Sequence, residues 1–264
     1  MPVKTVEMRP VQEGEFHELD YLVMKHAFGA QNSLGRFYDE KIYRNDLARR
    51  CLAAGFESVE TEVPVTVSHK DFSKTYFMDL LINRSAVYEL KAARAIHGNH
   101  KRQLLNYLFL CQLLFGKLIN FRTPQVTHEF ASTTLNREQR HICDIICSEW
   151  KKIDAESGRL KLIMEDLLED WGAFLEATLY MDAIEHFFGG IERVETPIEV
   201  RQGGLAVGRQ NFKMLNENTA FFVTAIKHKI DCRKHLTSLL ENTSIHSIQW
   251  INLDKHDVEM ITLI

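Results

Sequence analysis

Asp79, Glu89 and Lys91 are the residues of this sequence whose types and spacing could do chemistry together. Asp79 interrupts the apolar run Phe77-Met78-Asp79-Leu80-Leu81-Ile82, and Glu89-Leu90-Lys91 follows after nine intervening residues. Side chains alternate between the two faces of a strand, so Glu89 and Lys91 share one face, and Tyr88, Leu90 and Ala92 share the other. The turn residues Asn83-Arg84-Ser85 between the two runs predict an antiparallel hairpin that brings Asp79 alongside Glu89. Two carboxylates so placed can share a hard divalent cation such as Mg²⁺ or Mn²⁺. The cation would acidify a coordinated water and offset charge on a phosphate. A lysine two residues on can orient that water or touch the phosphate as a point charge. An unpaired carboxylate in an apolar strand costs several kcal/mol, so Asp79 needs an explanation; a structural ion pair with Lys91 is the competing one.

The elements around these residues can be read from periodicity and punctuation. Helices are predicted over 18–28 and 37–54, the second ended by Gly55, with Asn32-Ser33 able to cap it. Strands are predicted over 59–68, 76–82 and 86–92, a helix over 100–114, and strands over 116–121 and 126–130. This order predicts an α/β sandwich with a mixed sheet flanked by helices. The second half reads as helix over 149–188, broken near Ser157-Gly158 and stopped by Gly189-Gly190. Strands follow over 194–200, 205–215 and 221–226, a helix over 232–241, and strands over 246–253 and 258–264.

The second half also echoes the first. Gly35 to Tyr43 can be laid on Gly172 to Tyr180 with the same spacing of eight. Leu118-Ile119-Asn120-Phe121 falls on Trp250-Ile251-Asn252-Leu253, and Gln103 on His235, at an offset of 132. On this alignment Glu89 falls on Ala225 and Asp79 on Leu215, so a divergent duplicate would lack the acids. Two units are expected, residues 1–130 and 131–264.

Composition narrows the function. The chain of 264 residues is 45% hydrophobic and 26% charged, an ordinary globular mix that excludes disordered and low-complexity classes. Its net charge of −4 excludes polyanion binding by bulk charge. Residues 1–130 carry 17 basic and 15 acidic side chains, and the remainder 15 and 21. Within the first half, Lys91, Arg94, Lys101 and Arg102 occur with no acid between positions 90 and 102. A loop and helix start of this kind can hold a nucleic-acid backbone, although charge runs are also common on plain solvated surface. The acidic second half offers a surface for a protein partner. Five scattered cysteines suggest reduced thiols and a cytoplasmic setting. Cys143 and Cys147, one helical turn apart, lack a second ligand pair, and His97-Gly-Asn-His100 lacks further zinc ligands. No signal peptide or membrane span is expected. No Gly-x-Ser-x-Gly, Walker-type or dinucleotide motif is present.

Asp79…Glu89-Leu90-Lys91 within helix-strand-strand-strand-helix-strand resembles the motif and core of the PD-(D/E)xK nuclease superfamily. More narrowly, residues 19–123 resemble the bacterial GxxExxY family. The resemblance is carried by Leu34-Gly35 through Glu40-Lys41-Ile42-Tyr43, Met78-Asp79-Leu80-Leu81, Tyr88-Glu89-Leu90-Lys91-Ala92, Gln103-Leu104-Leu105-Asn106-Tyr107-Leu108 and Gly116-Lys117-Leu118-Ile119-Asn120-Phe121. Gly35 stands off the motif's spacing, so only Glu40-x-x-Tyr43 is kept, and Met78 replaces the proline of the superfamily name. The resemblance implies a restriction-endonuclease-like fold and Mg²⁺- or Mn²⁺-dependent hydrolysis of phosphodiester bonds. It implies Asp79 and Glu89 as metal ligands, Lys91 as the catalytic lysine, and Glu40 and Gln103 as further site residues. Arg94, Lys101 and Arg102 would contact nucleic acid. On the residues alone, Glu40 reads as a solvated helix position and Gln103 as an exposed amide. A nuclease fold that binds but no longer cleaves is the rival reading, favoured by the motif-poor second half.

Overall fold

The computed structural model describes residues 3–264. They form two compact units: residues 3–68 with Ser73–Arg137, and His69–Phe72 with Glu138–Ile264. No helix among the described residues is long and apolar enough to cross a membrane.

The first unit begins with a short strand β1 (Val3–Lys4) and two helices, α1 (Glu13–Leu34) and α2 (Glu40–Ala53). Strands β2 (Val59–His69), β3 (Phe72–Ile82) and β4 (Ala86–Lys91) follow, then α3 (Gly98–Cys111), β5 (Phe115–Asn120) and β6 (Thr127–Ser132). The six strands form one mixed sheet in sequence order. Strands β3 and β4 are the expected antiparallel hairpin; Asn83 and Arg84 turn it with left-handed backbones, φ 50° and 53°. Strand β4 pairs in parallel with β5 across the α3 connection.

The first helix is longer than its apolar pattern predicted. Asn32 and Ser33 lie in its last turn, and Asp39 is the N-cap of α2. One face of the sheet buries Leu80, Ile82, Tyr88, Leu90, Ile119 and Phe121 against Phe16, Val23, Ala27, Tyr43, Leu47 and Cys51 of the first two helices. The other face packs against α3 at Gly116, where a Cβ would stand 2.9 Å from the Leu104 side chain and 3.1 Å from the Val87 carbonyl. Glycine at this point lets helix and strand approach.

In the second unit α4 (Arg137–Arg140), β7 (Asp144–Glu149), α5 (Ala155–Trp171), α6 (Ala177–Phe187) and α7 (Ile191–Val194) precede a hairpin, β8 (Glu195–Gln202) and β9 (Leu205–Lys213). Then come β10 (Thr219–Thr224), α8 (Lys229–Glu241), β11 (Ser247–Asp254) and β12 (Asp257–Leu263). The sheet order is β10-β11-β12-β7, with β8-β9 as a separate two-stranded sheet. Two expectations need correction here. The helix break falls at Gly172 rather than Ser157-Gly158; Ser157 instead joins a capping box with Asp154 at the start of α5. Cys143 and Cys147 are not on a helix, because Asp144–Glu149 is a strand. All five cysteines are free thiols.

A buried pair, Asp20 of α1 and Lys117 of β5, ties the first helix to the sheet on the face opposite α3. Replacing Lys117 alone by Met leaves Asp20 uncompensated and is expected to cost about 3–5 kcal/mol. The double replacement with Asp20→Leu should recover most of that loss. Denaturant midpoints of the three proteins measure both effects.

Candidate active site

Four of the five expected residues meet at the end of β4. Ladder pairs run from Ile82–Ala86 to Leu80–Tyr88, and one further step sets Asp79 opposite Glu89. There the Asp79 side chain takes over from the ladder: its Oδ2 accepts the Leu90 amide at 2.9 Å. Tyr88 and Leu90 belong to the core on the helix α1–α2 side. Alternation therefore turns Glu89 and Lys91 to the α3 side. The Lys91 ammonium lies 2.7 Å from Glu89 Oε1, 3.8 Å from Glu40 Oε2 and 3.9 Å from Asp79 Oδ2. Three carboxylates from three elements thus converge on one nitrogen. Gln103 stands apart from this contact set, its amide donating to the Tyr107 hydroxyl at 3.3 Å, which itself donates to the Phe77 carbonyl at 2.7 Å.

Burial sets the electrostatics. Glu89 is 1% exposed, and its Oε2 has no hydrogen-bond partner. Its carboxyl is pushed up to about 8, by burial first and the Asp79 charge second, against the pull of Lys91. Glu40 is also raised, chiefly by burial. For Lys91, burial favours the neutral amine, but Glu89, Glu40 and Asp79 outweigh it and the ammonium is stabilised. In this state Lys91 is a fixed positive charge rather than a base.

The sequence reading missed three supports. Arg44, a charged residue on the same helix as Glu40, is buried, donating from Nη1 to Asp79 Oδ1 at 3.5 Å and ion-paired through Nη2 with Glu62 Oε1 at 2.9 Å. Its place one helical turn after Glu40 was the available signal. Glu62 holds that guanidinium from a left-handed backbone, φ 52°, within β2. Asn120 is fully buried beside Lys91 in the parallel ladder. It accepts the Ala93 and Arg122 amides at 3.1 and 3.2 Å and donates to the Ala93 carbonyl at 2.8 Å. The chain leaving β4 is thereby pinned two residues past the lysine. The basic residues Arg94, Lys101 and Arg102 follow on the exposed loop and on α3, and Lys101 reaches Glu129 at 3.7 Å.

The donor set suits a hard cation. Among the described residues no three His, Cys, Asp or Glu side chains close into a metal cage. Magnesium does not need one, because it binds through one or two carboxylates and keeps several waters. Asp79 and Glu89 provide two carboxylates, and the unpartnered Glu89 Oε2 provides a free oxygen.

The raised Glu89 carboxyl has a stability consequence. The folded protein keeps a proton that the unfolded chain gives up above about pH 4.5, so this contribution is complete below that pH and is lost as pH rises through about 8. In EDTA, Glu89→Gln should flatten the profile and be more stable relative to the parent at pH 9 than at pH 5. Denaturant midpoints across that range test it.

Residues 17–133, somewhat under half of the chain, match the family model described as PD-(D/E)XK nuclease superfamily. No curated protein and no solved structure matches the chain. The six-stranded mixed sheet flanked by helices agrees with the restriction-endonuclease-like fold of that superfamily, and the matched segment contains Glu40, Asp79, Glu89, Lys91 and Gln103.

Proposed function

We propose that the first unit is a divalent-cation-dependent nuclease hydrolysing phosphodiester bonds of nucleic acid. The observation that carries this reading is the convergence of Glu40, Asp79 and Glu89 within 3.9 Å of the Lys91 ammonium, inside a segment matching a nuclease superfamily. Asp79 and Glu89 would hold Mg²⁺ or Mn²⁺. When bound, the ion acidifies water and offsets charge building on the phosphate. To hold the ion Glu89 would be ionised, and Lys91, which now pairs Glu89 Oε1, would be placed to contact the phosphate as a positive charge. Arg44 keeps Asp79 in place, and Glu40 adds negative charge beside the pair. Gln103 enters the reaction by exchanging the Tyr107 hydroxyl for substrate. Arg94, Lys101 and Arg102 would hold the backbone of the nucleic acid after the lysine.

The finer kinship, with the bacterial GxxExxY proteins, rests on Glu40-x-x-Tyr43 and the motif blocks that follow it, and a cytoplasmic setting rests on the five scattered free cysteines. A protein partner for the acidic half is part of the same proposal. A nuclease fold that binds without cleaving is favoured by one observation. Lys91 already pairs Glu89, and Arg44 already pairs Asp79, so the carboxylates are compensated without an ion.

Cleavage of single- and double-stranded DNA and RNA with Mg²⁺ or Mn²⁺ decides between the two. Asp79→Ala and Glu89→Ala should abolish it, and Lys91→Met should lower kcat by about 10²-fold or more while Mn²⁺ still binds. Activity unchanged in both carboxylate variants would sink the nuclease reading. Absent Mn²⁺ binding with nucleic acid still bound would favour the module that does not cleave.

A further inference from the structure

We propose that the second unit is a copy of the first that has lost the cation site and binds duplex nucleic acid through the exposed turn end of its hairpin, β8–β9. The binding half of this proposal rests on reading the first unit as a nuclease.

The copy is visible at the level of single hydrogen bonds. The order α1-α2-β2-β3-β4-α3-β5-β6 recurs as α5-α6-β8-β9-β10-α8-β11-β12, with the one-turn α7 added. In both, the strand before the last helix pairs in parallel with the strand after it, which then pairs antiparallel with the next. Gly35 ends α1 with φ 76°, and Gly172 ends α5 with φ 73°. Each carbonyl accepts the hydroxyl of the tyrosine eight residues on, Tyr43 at 2.8 Å and Tyr180 at 2.5 Å. Asn252 repeats Asn120: it is fully buried, accepts the Ile226 amide at 3.1 Å and donates to the Ile226 carbonyl at 3.0 Å.

These anchors set the correspondence. Lys91 pairs with Asn120 and Thr224 with Asn252, so Thr224 stands for Lys91 and Phe222 for Glu89. The Met214–Ala220 bridge carried two residues along puts Phe212 opposite Phe222, in the place of Asp79. Ala177 stands for Glu40, each five residues past its glycine. The sequence alignment, which put Ala225 and Leu215 at these places, was three residues out of register. Phe212 and Phe222 now pack with Trp250 in the apolar core. The Trp250 indole donates to Thr224 Oγ1 at 2.8 Å. No carboxylate is left at these two places to hold a divalent ion.

The hairpin is where the copy diverged in structure. Strands β2 and β3 belong to the six-stranded sheet, whereas β8 and β9 form a sheet of their own. Gly203 and Gly204, φ 57° and 82°, make a tight turn. Beyond it Leu205 and Val207 stand 74% and 62% exposed. Across the hairpin the basic residues are Arg201, Arg209 and Lys213, against Glu195 opposite Lys213 and Glu199 opposite Arg209, a balance of three to two in a half that carries 15 basic and 21 acidic side chains. Lys213 is paired with Glu185, and Arg201 lies 2.6 Å from Glu199. Gln202, Gln210 and Asn211 supply exposed amides beside the arginines. A two-stranded antiparallel ribbon fits the major groove of a duplex, where amides and arginines read base edges and small apolar groups meet thymine methyls.

The test is fluorescence anisotropy of the full chain with a labelled DNA duplex in EDTA. Arg201→Gln with Arg209→Gln should weaken binding about tenfold and make the log–log salt dependence shallower by about 2. Binding within twofold of the parent, or no duplex binding by the parent, overturns the hairpin assignment. Mn²⁺ calorimetry of Asp79→Asn with Glu89→Gln should show no remaining site; a retained site overturns the loss. Wild-type protein that binds duplex through the arginines but never cleaves would overturn the nuclease reading alone.

Discussion

The structure of the candidate site depends on one costly placement, a glutamate on a central strand with almost no access to water. Glu89 is 1% exposed, flanked by β3 and β5, and only one of its oxygens is paired. A buried carboxylate either acquires a counter-charge or takes up a proton. Here both responses are present: Lys91 approaches to 2.7 Å, and the carboxyl is pushed up to about 8. The remaining features follow from holding that compromise in place. Asp79 adds to the negative charge and needs Arg44, and Arg44 needs Glu62. Lys91 must not slide away, and Asn120 fixes the chain immediately beyond it.

How much of this the sequence disclosed follows from which forces are local. The alternation of Tyr88, Glu89, Leu90 and Lys91 across a strand is a property of the backbone, so the faces of β4 were legible directly. The turn chemistry of Asn83-Arg84 was legible for the same reason and gave the Asp79–Glu89 juxtaposition. Arg44 was not legible, because its burial depends on a partner 35 residues away on β3 and on an unusual backbone at Glu62. Among Asp39, Lys41 and other charges on a helix, nothing in the local pattern separates a buried arginine from a solvated one. Gln103 shows the converse. Its helix was predicted, but which hydroxyl its amide would find depends on how α3 lies over the sheet.

The same reasoning explains the errors at element ends. The first helix continues to Leu34 because Gln31, in its last turns, is recruited by the Phe121 and Thr123 carbonyls at 2.8 and 2.9 Å. That tertiary bond outweighs the local capping preference of Asn32 and Ser33. Ser157-Gly158 looked like a break because serine and glycine usually punctuate. In place, Ser157 closes a reciprocal cap with Asp154, and that motif starts a helix.

What the two units share, and what they do not, separates framework from chemistry. The glycine-to-tyrosine bond and the buried asparagine recur because each satisfies backbone groups that the fold itself leaves without partners: a helix-end carbonyl, and the strand exit after β4 or β10. Leaving a buried amide or carbonyl unpaired costs roughly 1–3 kcal/mol whatever the protein does, so any chain with this topology must solve the same problem. The carboxylates answer no such demand. On the correspondence proposed above, Phe212 and Phe222 stand where Asp79 and Glu89 do, and there they pack into a continuous apolar cluster. Apolar side chains are the arrangement that stability alone would select on a central strand. The presence of Asp79, Glu89 and Lys91 together on the central strands of the first unit, against that preference, is the physical ground for proposing a function for them.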